Sequence, residues 1–264
     1  MIVRDRGDSW QIVLQPDHAD LAAQFARAWG NEHGFAAPTP LAPVVVASAR
    51  HDDGWAVWER APALDREGVA PRNFLDVEVP SHLAFYRAMI AAVLDQDPYA
   101  GLLVSMHGAG IYRGRYGTQP SLKLTFADEV RDQVEAFVAE QEELHVRLVA
   151  QLGVSEEERW TNYRFLQVYD RLSLYFCLRD VEAGEPDVLE PVPRDYEGAE
   201  APLALKPAGP WRVRVDPYPF AESPATFRLV RRVLPKAGER DGKSFRREFA
   251  ATVPEEVLIT VHAR

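Results

Sequence analysis

The chain has 264 residues, a formal net charge of −10, and a composition of 47% hydrophobic and 27% charged residues, the balance of a soluble globular protein long enough to bury a full core. Clustered cations of the kind that track a phosphate backbone are missing, which argues against nucleic acid as a partner, and no apolar run approaches the roughly 20 residues needed to span a bilayer. The one cysteine, Cys177, lies in an apolar stretch and can form no intrachain disulfide, so nothing calls for an oxidising compartment and a cytoplasmic location is expected.

Residues 1–15 read as a β-hairpin, with Asp5 to Asp8 supplying the turn between two β-prone runs. A helix follows from Pro16, and His18, Leu21, Ala22, Phe25 and Trp29 recur on one face of it. Gly30 to Pro43 is a loop. Val44 to about Asp52 is a short apolar helix that delivers the pair His51-Asp52, and Gly54 to Pro80, with three prolines and little periodicity, is a long loop. Ser81 is the predicted N-cap of a helix through Leu94 whose apolar stripe includes His82, Tyr86 and Met89.

Pro98 opens a further helix that is expected to stop at His107, Gly108 and Gly110. Residues 111–122 form a polar, arginine-bearing loop, and Ala127 to Leu152 an amphipathic helix with its glutamates outside. Ser155 caps a last long helix to about Leu178, on which Tyr163, Leu166, Gln167, Asp170, Leu174 and Cys177 share one stripe. A composition break follows at 181–210, after which Trp211–Val215, Phe227–Val233 and Val257–Val261 alternate with period two and predict a small antiparallel sheet. The expected architecture is mainly α, with residues 1–180 as a helical metal-binding domain carrying a short N-terminal hairpin and residues 181–264 as a β-rich appendage.

Six polar residues, His18, His51, Asp52, His82, His107 and Asp170, fall on buried helix faces. Burying each without a partner costs several kcal/mol. Metal coordination satisfies them together, and four histidines with two aspartates exceed the needs of one ion, so two divalent transition metals are expected, with Asp52 as bridge. Mixed nitrogen and oxygen ligands suit Fe, Mn, Zn or Co.

In order and type these residues resemble the H…HD…H…H…D signature of the HD-domain superfamily of metal-dependent phosphohydrolases. His51-Asp52-Asp53-Gly54 is similar to the H-D-x-G-K element of its phosphodiesterases, and Asp170 to Leu174 resembles the segment carrying the last ligand. The phrases Gln15 to His18, His51 to Trp55 and Ser105 to Gly108 are similar to those of a bacterial branch with no assigned function, so the resemblance carries no substrate. It covers roughly residues 10–180 and implies a compact helical bundle around the metals. Trp55 stands where the phosphodiesterase element has lysine, Gly108 follows His107 where a second histidine is common, and the interval from His107 to Asp170 is long for the superfamily.

The implied activity is hydrolysis of a small anionic phosphorylated or nucleotide-like compound, in which metal ions activate a water against the phosphoryl group. Asp53, beside the pair, is the candidate general acid or base. Arg87, Arg113, Arg115 and Lys123 are candidate phosphate contacts, and Trp55 and Tyr86 candidate stacking or binding side chains. An HD-type di-iron oxygenase and a metal-stabilised binding protein are the alternative readings.

Overall fold

A computed structural model of the chain describes residues 1–119, 126–182, 184–236 and 241–264. The hairpin is present as β1 (Ile2–Asp5) and β2 (Ser9–Val13), and it is followed by α1 (Gln15–Ala28) and α2 (Leu41–Arg50). The predicted loop holds one short turn of α-helix, α3 (Ala56–Glu59), and two 3-10 turns, Asp53–Trp55 and Phe74–Asp76. Four long helices come next: α4 (Val79–Gln96), α5 (Pro98–Tyr112), α6 (Asp128–Leu152) and α7 (Glu156–Leu178).

Several helix ends differ from the sequence expectation; α2 starts at Leu41, inside the predicted loop, and ends at Arg50, so His51 and Asp52 stand just past it. Helix α4 starts before Ser81, with Glu78 in the capping position, because Pro80 falls in the first turn, where a missing N–H costs nothing. Helix α5 runs through its glycines to Tyr112. Their role is close packing: a Cβ on Gly108 would lie 2.8 Å from the Tyr86 ring, and one on Gly110 would collide with the Tyr163 hydroxyl. The predicted Ser155 cap of α7 is found, its side chain accepting from Glu158 N at 3.1 Å.

The larger correction concerns the strands. The C-terminal part contains β3 (Asp187–Pro193), β4 (Glu200–Pro207), β5 (Arg212–Asp216), β6 (Ala225–Pro235), α8 (Gly242–Ala251) and β7 (Glu255–Ala263). Among the described residues seven strands form one curled mixed sheet in the order β1-β2-β6-β7-β5-β4-β3, with β5 and β7 parallel and the other pairs antiparallel. This overturns the expectation of a mainly α bundle with a small antiparallel appendage. The N-terminal hairpin belongs to the same sheet through β2 and β6, with Ile12 opposite Arg232.

Strands β3 and β4 were hidden by their prolines. Pro191 and Pro193 lie in an edge strand, and Pro202 sits opposite a bulge between Leu189 and Val192, so none interrupts a regular ladder. The inward residues of the sheet alternate as period two demands, Phe227 and Leu229 on β6, Val257, Ile259 and Val261 on β7, Val213 and Val215 on β5.

These residues pack on α1 and α7 in one continuous core. Phe25 of α1 meets Phe176 of α7, Phe220 and Phe227 at ring separations of 6.1, 6.0 and 4.7 Å. Each such aromatic pair adds about 0.5–1.5 kcal/mol to the area it buries. Helix α7 is buried on all sides from Thr161 to Tyr169, because it runs between α1, α2 and α5 on one side and strands on the other. A smaller cluster, Met1, Ile12, Leu234, Phe245 and Phe249, lies under α8. No described helix is long and apolar enough to cross a membrane.

Candidate metal centre

Four segments bring ionisable side chains to one buried point in the helical layer. His18 comes from α1, His51 and Asp52 from the end of α2, His107 from α5 and Asp170 from α7. Two overlapping groups, His18 with His51 and Asp52, and His51 with His107 and Asp170, each have ligand-capable atoms within 4.8 Å of one another. All five residues are buried. The His51 ring stands edge-on to both His18 and His107, at centroid distances of 5.0 and 4.8 Å.

Hydrogen bonds fix which nitrogen of each imidazole faces inward. Ser173 Oγ donates to the Asp170 carbonyl at 2.8 Å, so it must accept from His18 Nδ1 at 2.6 Å. His51 Nδ1 donates to the Ser48 carbonyl at 2.8 Å. Both Nε2 atoms therefore point to the centre. His18 Nε2 lies 3.1 Å from Asp52 Oδ2, and His51 Nε2 lies 3.7 Å from both Asp52 Oδ2 and Asp170 Oδ1. His51 Nε2 is fully enclosed and has no hydrogen-bond partner among the described residues.

Imidazole lone pairs aimed at carboxylate oxygens repel unless a proton or a cation lies between them. Burial opposes protonation of His51, but Asp52, Asp170 and the Ser48 carbonyl outweigh it and push its pKa up to about 9. Burial also favours a neutral Asp52, yet His51, His18 and His107 hold its carboxyl far below the usual range. Asp170 is likewise held down against burial by His51 and Arg115. The centre thus demands positive charge. Donor atoms gathered around one transition-metal ion at about 2.1 Å stand roughly 3–3.5 Å apart, close to the spacings found here. Nitrogen and oxygen donors of this kind fit Zn, Fe, Mn or Co.

The expected sixth ligand, His82, is not among them. Its Nδ1 bonds Tyr112 Oη at 2.5 Å, its ring packs on Trp55, and burial lowers its pKa to about 4. Arg115 enters instead, one nitrogen donating to His107 Nδ1 and the other to Asp170 Oδ2, both at 2.9 Å. Tyr86 donates to Asp52 Oδ1 at 2.7 Å, which makes it part of the centre.

The other candidates lie elsewhere. Asp53 is ion-paired with Arg50 at the protein surface. Arg87 pairs with Glu140 and Arg113 with Glu135 and Glu142, all on the outer side of α6. Trp55 is buried against Trp58, Phe74, His82 and Phe85. Lys123 lies outside the described residues. Sequence reasoning missed Ser173, although it stands three residues after Asp170 and so one helical turn along the same face.

No curated protein and no solved structure matches the chain. A family match does cover residues 1–236, which carries the whole of the centre and the strands through β6. The chain belongs to the family described as Protein of unknown function (DUF3891).

Proposed function

We propose that this protein is a metal-dependent phosphohydrolase of the HD kind, acting on a small phosphorylated compound with one transition-metal ion held by His18, His51, Asp52 and Asp170. The observation that carries this reading is the convergence of those four residues, in the chain order H…HD…D: His18 Nε2 lies 3.1 Å from Asp52 and 3.9 Å from Asp170, and His51 Nε2 lies 3.7 Å from each. His107 stands outside the set because its Nδ1 accepts from Arg115, which leaves the proton of the neutral ring on Nε2. A single ion is favoured over two because the overlapping groups share His51, whose Nδ1 is already committed to Ser48 and whose Nε2 has room for one partner.

An ion bound there supplies Lewis acidity toward a phosphoryl oxygen and activates a water at neutral pH. The protein's own groups do the rest. Ser173 and the Ser48 carbonyl hold the tautomers of His18 and His51, Tyr86 orients Asp52, and Arg115 brings a fixed positive charge beside Asp170 for the charge that develops on the phosphoryl group. A cytoplasmic setting belongs to the same proposal, and the free, buried Cys177 suits it.

Metal analysis of the purified protein should give about one equivalent of transition metal per chain, and the loaded protein should release phosphate from a panel of phosphomonoesters and diesters. Wild-type protein without metal, or oxygen uptake without phosphate release, would overturn the reading.

A further inference from the structure

The protons around the centre trace back to one residue. A guanidinium has donors only and keeps its charge, so His107 Nδ1, 2.9 Å from a terminal nitrogen of Arg115, must accept, and the proton of the neutral imidazole lies on Nε2. Tyr86 gives its own proton to Asp52 Oδ1 at 2.7 Å, which leaves its oxygen to receive His107 Nε2–H at 3.4 Å. The other terminal nitrogen of Arg115 donates to Asp170 Oδ2 at 2.9 Å. Arg115 therefore reaches both carboxylates, Asp170 directly and Asp52 through His107 and Tyr86.

These bonds divide the oxygens of each carboxylate. Asp52 Oδ2 and Asp170 Oδ1 are the atoms that face the Nε2 atoms of His18 and His51, at 3.1 to 3.9 Å. Asp52 Oδ1 and Asp170 Oδ2 are the ones that accept from Tyr86 and Arg115. Each aspartate thus offers a metal one oxygen. Of the second group of ligand-capable residues, His51, His107 and Asp170, Arg115 bonds two, and the third has only its Nε2 left, which already faces the first group. The backbone is strained to hold Arg115 in this place. Gly114, Arg115, Tyr116 and Gly117 have φ values of 57°, 53°, 53° and 90°, a left-handed turn that glycine adopts readily and residues with a Cβ rarely do. Strain of this kind concentrates at functional sites.

We propose that Arg115 is a built-in second cation, which stands between His107 and Asp170 where a second metal ion would bind and so holds the centre at one ion. This rests on the metal-binding part of the proposed function and not on hydrolysis. A second divalent ion would meet a guanidinium that cannot give up its charge and a His107 whose inward nitrogen carries a proton. With one divalent ion in place, the permanent charge of Arg115 leaves the centre net positive against its two carboxylates, as an anionic substrate requires. His107 and Tyr86 act as positioning residues, which carry the hold of Arg115 across to Asp52.

The test is zinc stoichiometry in wild type, Arg115→Lys and Arg115→Glu, together with the histidine tautomers of the zinc-loaded wild type. About one equivalent per chain is expected in wild type and in Arg115→Lys, which keeps a cation, and about two in Arg115→Glu, where a third protein ligand joins His107 and Asp170. Nitrogen-proton correlation spectra of the wild type need no variant to fold. His18 and His51 should carry their protons on Nδ1 and zinc on Nε2, while His107 should carry its proton on Nε2 and no zinc. Two equivalents in wild type, a zinc-bound His107, or a single equivalent in folded Arg115→Glu would overturn the inference and leave the phosphohydrolase reading standing. Wild type with one zinc and an Nε2-protonated His107 that releases no phosphate from esters would remove the hydrolytic reading and leave the role of Arg115 intact. No zinc in any of the three forms would overturn both.

Discussion

His18 Nε2 faces Asp52 Oδ2 across 3.1 Å, and the Ser173 hydroxyl behind the imidazole takes the only proton that a neutral ring has to give. Asp52→Ala removes the carboxylate on which His18 and His51 both converge, so metal content measured by mass spectrometry should fall to background. His82→Ala and Cys177→Ser, which alter buried groups outside the quartet, should retain metal at the wild-type level. Loss of metal in His82→Ala would restore that histidine to the ligand set.

Ser173→Ala leaves every proposed ligand in place but frees the His18 tautomer. Metal affinity is expected to drop about 10–100-fold, read from competition with a chelating dye, while the far-ultraviolet circular dichroism stays unchanged.

Gly110→Ala pushes a methyl group into the Tyr163 hydroxyl and should lower stability by about 1–3 kcal/mol in denaturant unfolding. The double variant Gly110→Ala with Tyr163→Phe removes the colliding oxygen and should recover part of that loss. No recovery would mean that the neighbouring Tyr116 ring, not the hydroxyl, sets the limit.

Between α5 and α6, Ser105 Oγ donates to Gln141 Oε1 and accepts from His145 Nε2, both at 2.9 Å. Burial, with Arg159 nearby, lowers the His145 pKa to about 4. In the unfolded chain this histidine takes up a proton near pH 6.5, which the folded protein refuses. Stability from His145 is therefore complete above pH 6.5 and is lost as pH falls toward 4. Melting temperatures across that range should decline less steeply in His145→Gln than in wild type.

Phe25→Ala opens the seam between α1, α7 and the sheet and is expected to cost about 3–5 kcal/mol. Helix and strand signals should be lost together in its thermal unfolding, because the core is continuous across both layers.

The site was more legible in the sequence than the fold. His18, His51, Asp52, His107 and Asp170 announced themselves because helical periodicity is a local property, and polar residues on an apolar stripe need a reason. The same logic admitted His82, which periodicity cannot tell from a ligand; a tyrosine and a tryptophan from other segments decide its place. Tyr163 and Gln167 were visible on the Asp170 stripe, but what they touch, Gly110 and Tyr116 for the one and Thr118 for the other, is a three-dimensional fact. The alternation of β5, β6 and β7 predicted strands, yet alternation says only that a strand has one buried face. It does not say that β2 is the neighbour of β6. Helix α8 escaped notice because it buries only Phe245 and Phe249 on an otherwise charged segment.

The pairing of β2 with β6 joins residues about 220 positions apart, which at 5–20 residues per second is roughly 10–45 s of synthesis. Asp170, the last of the five converging residues, precedes Arg232 by 62 positions, so for roughly 3–12 s at the end of that interval the first hairpin, α1 and all five residues have been made while the strand that lies across α1 has not. A newborn chain can therefore gather its histidines before its greasy flank is covered. An ion captured at that stage, as proposed above, would tie α1, α2 and α7 together and shelter an intermediate that otherwise exposes Phe25 and Phe176 to aggregation.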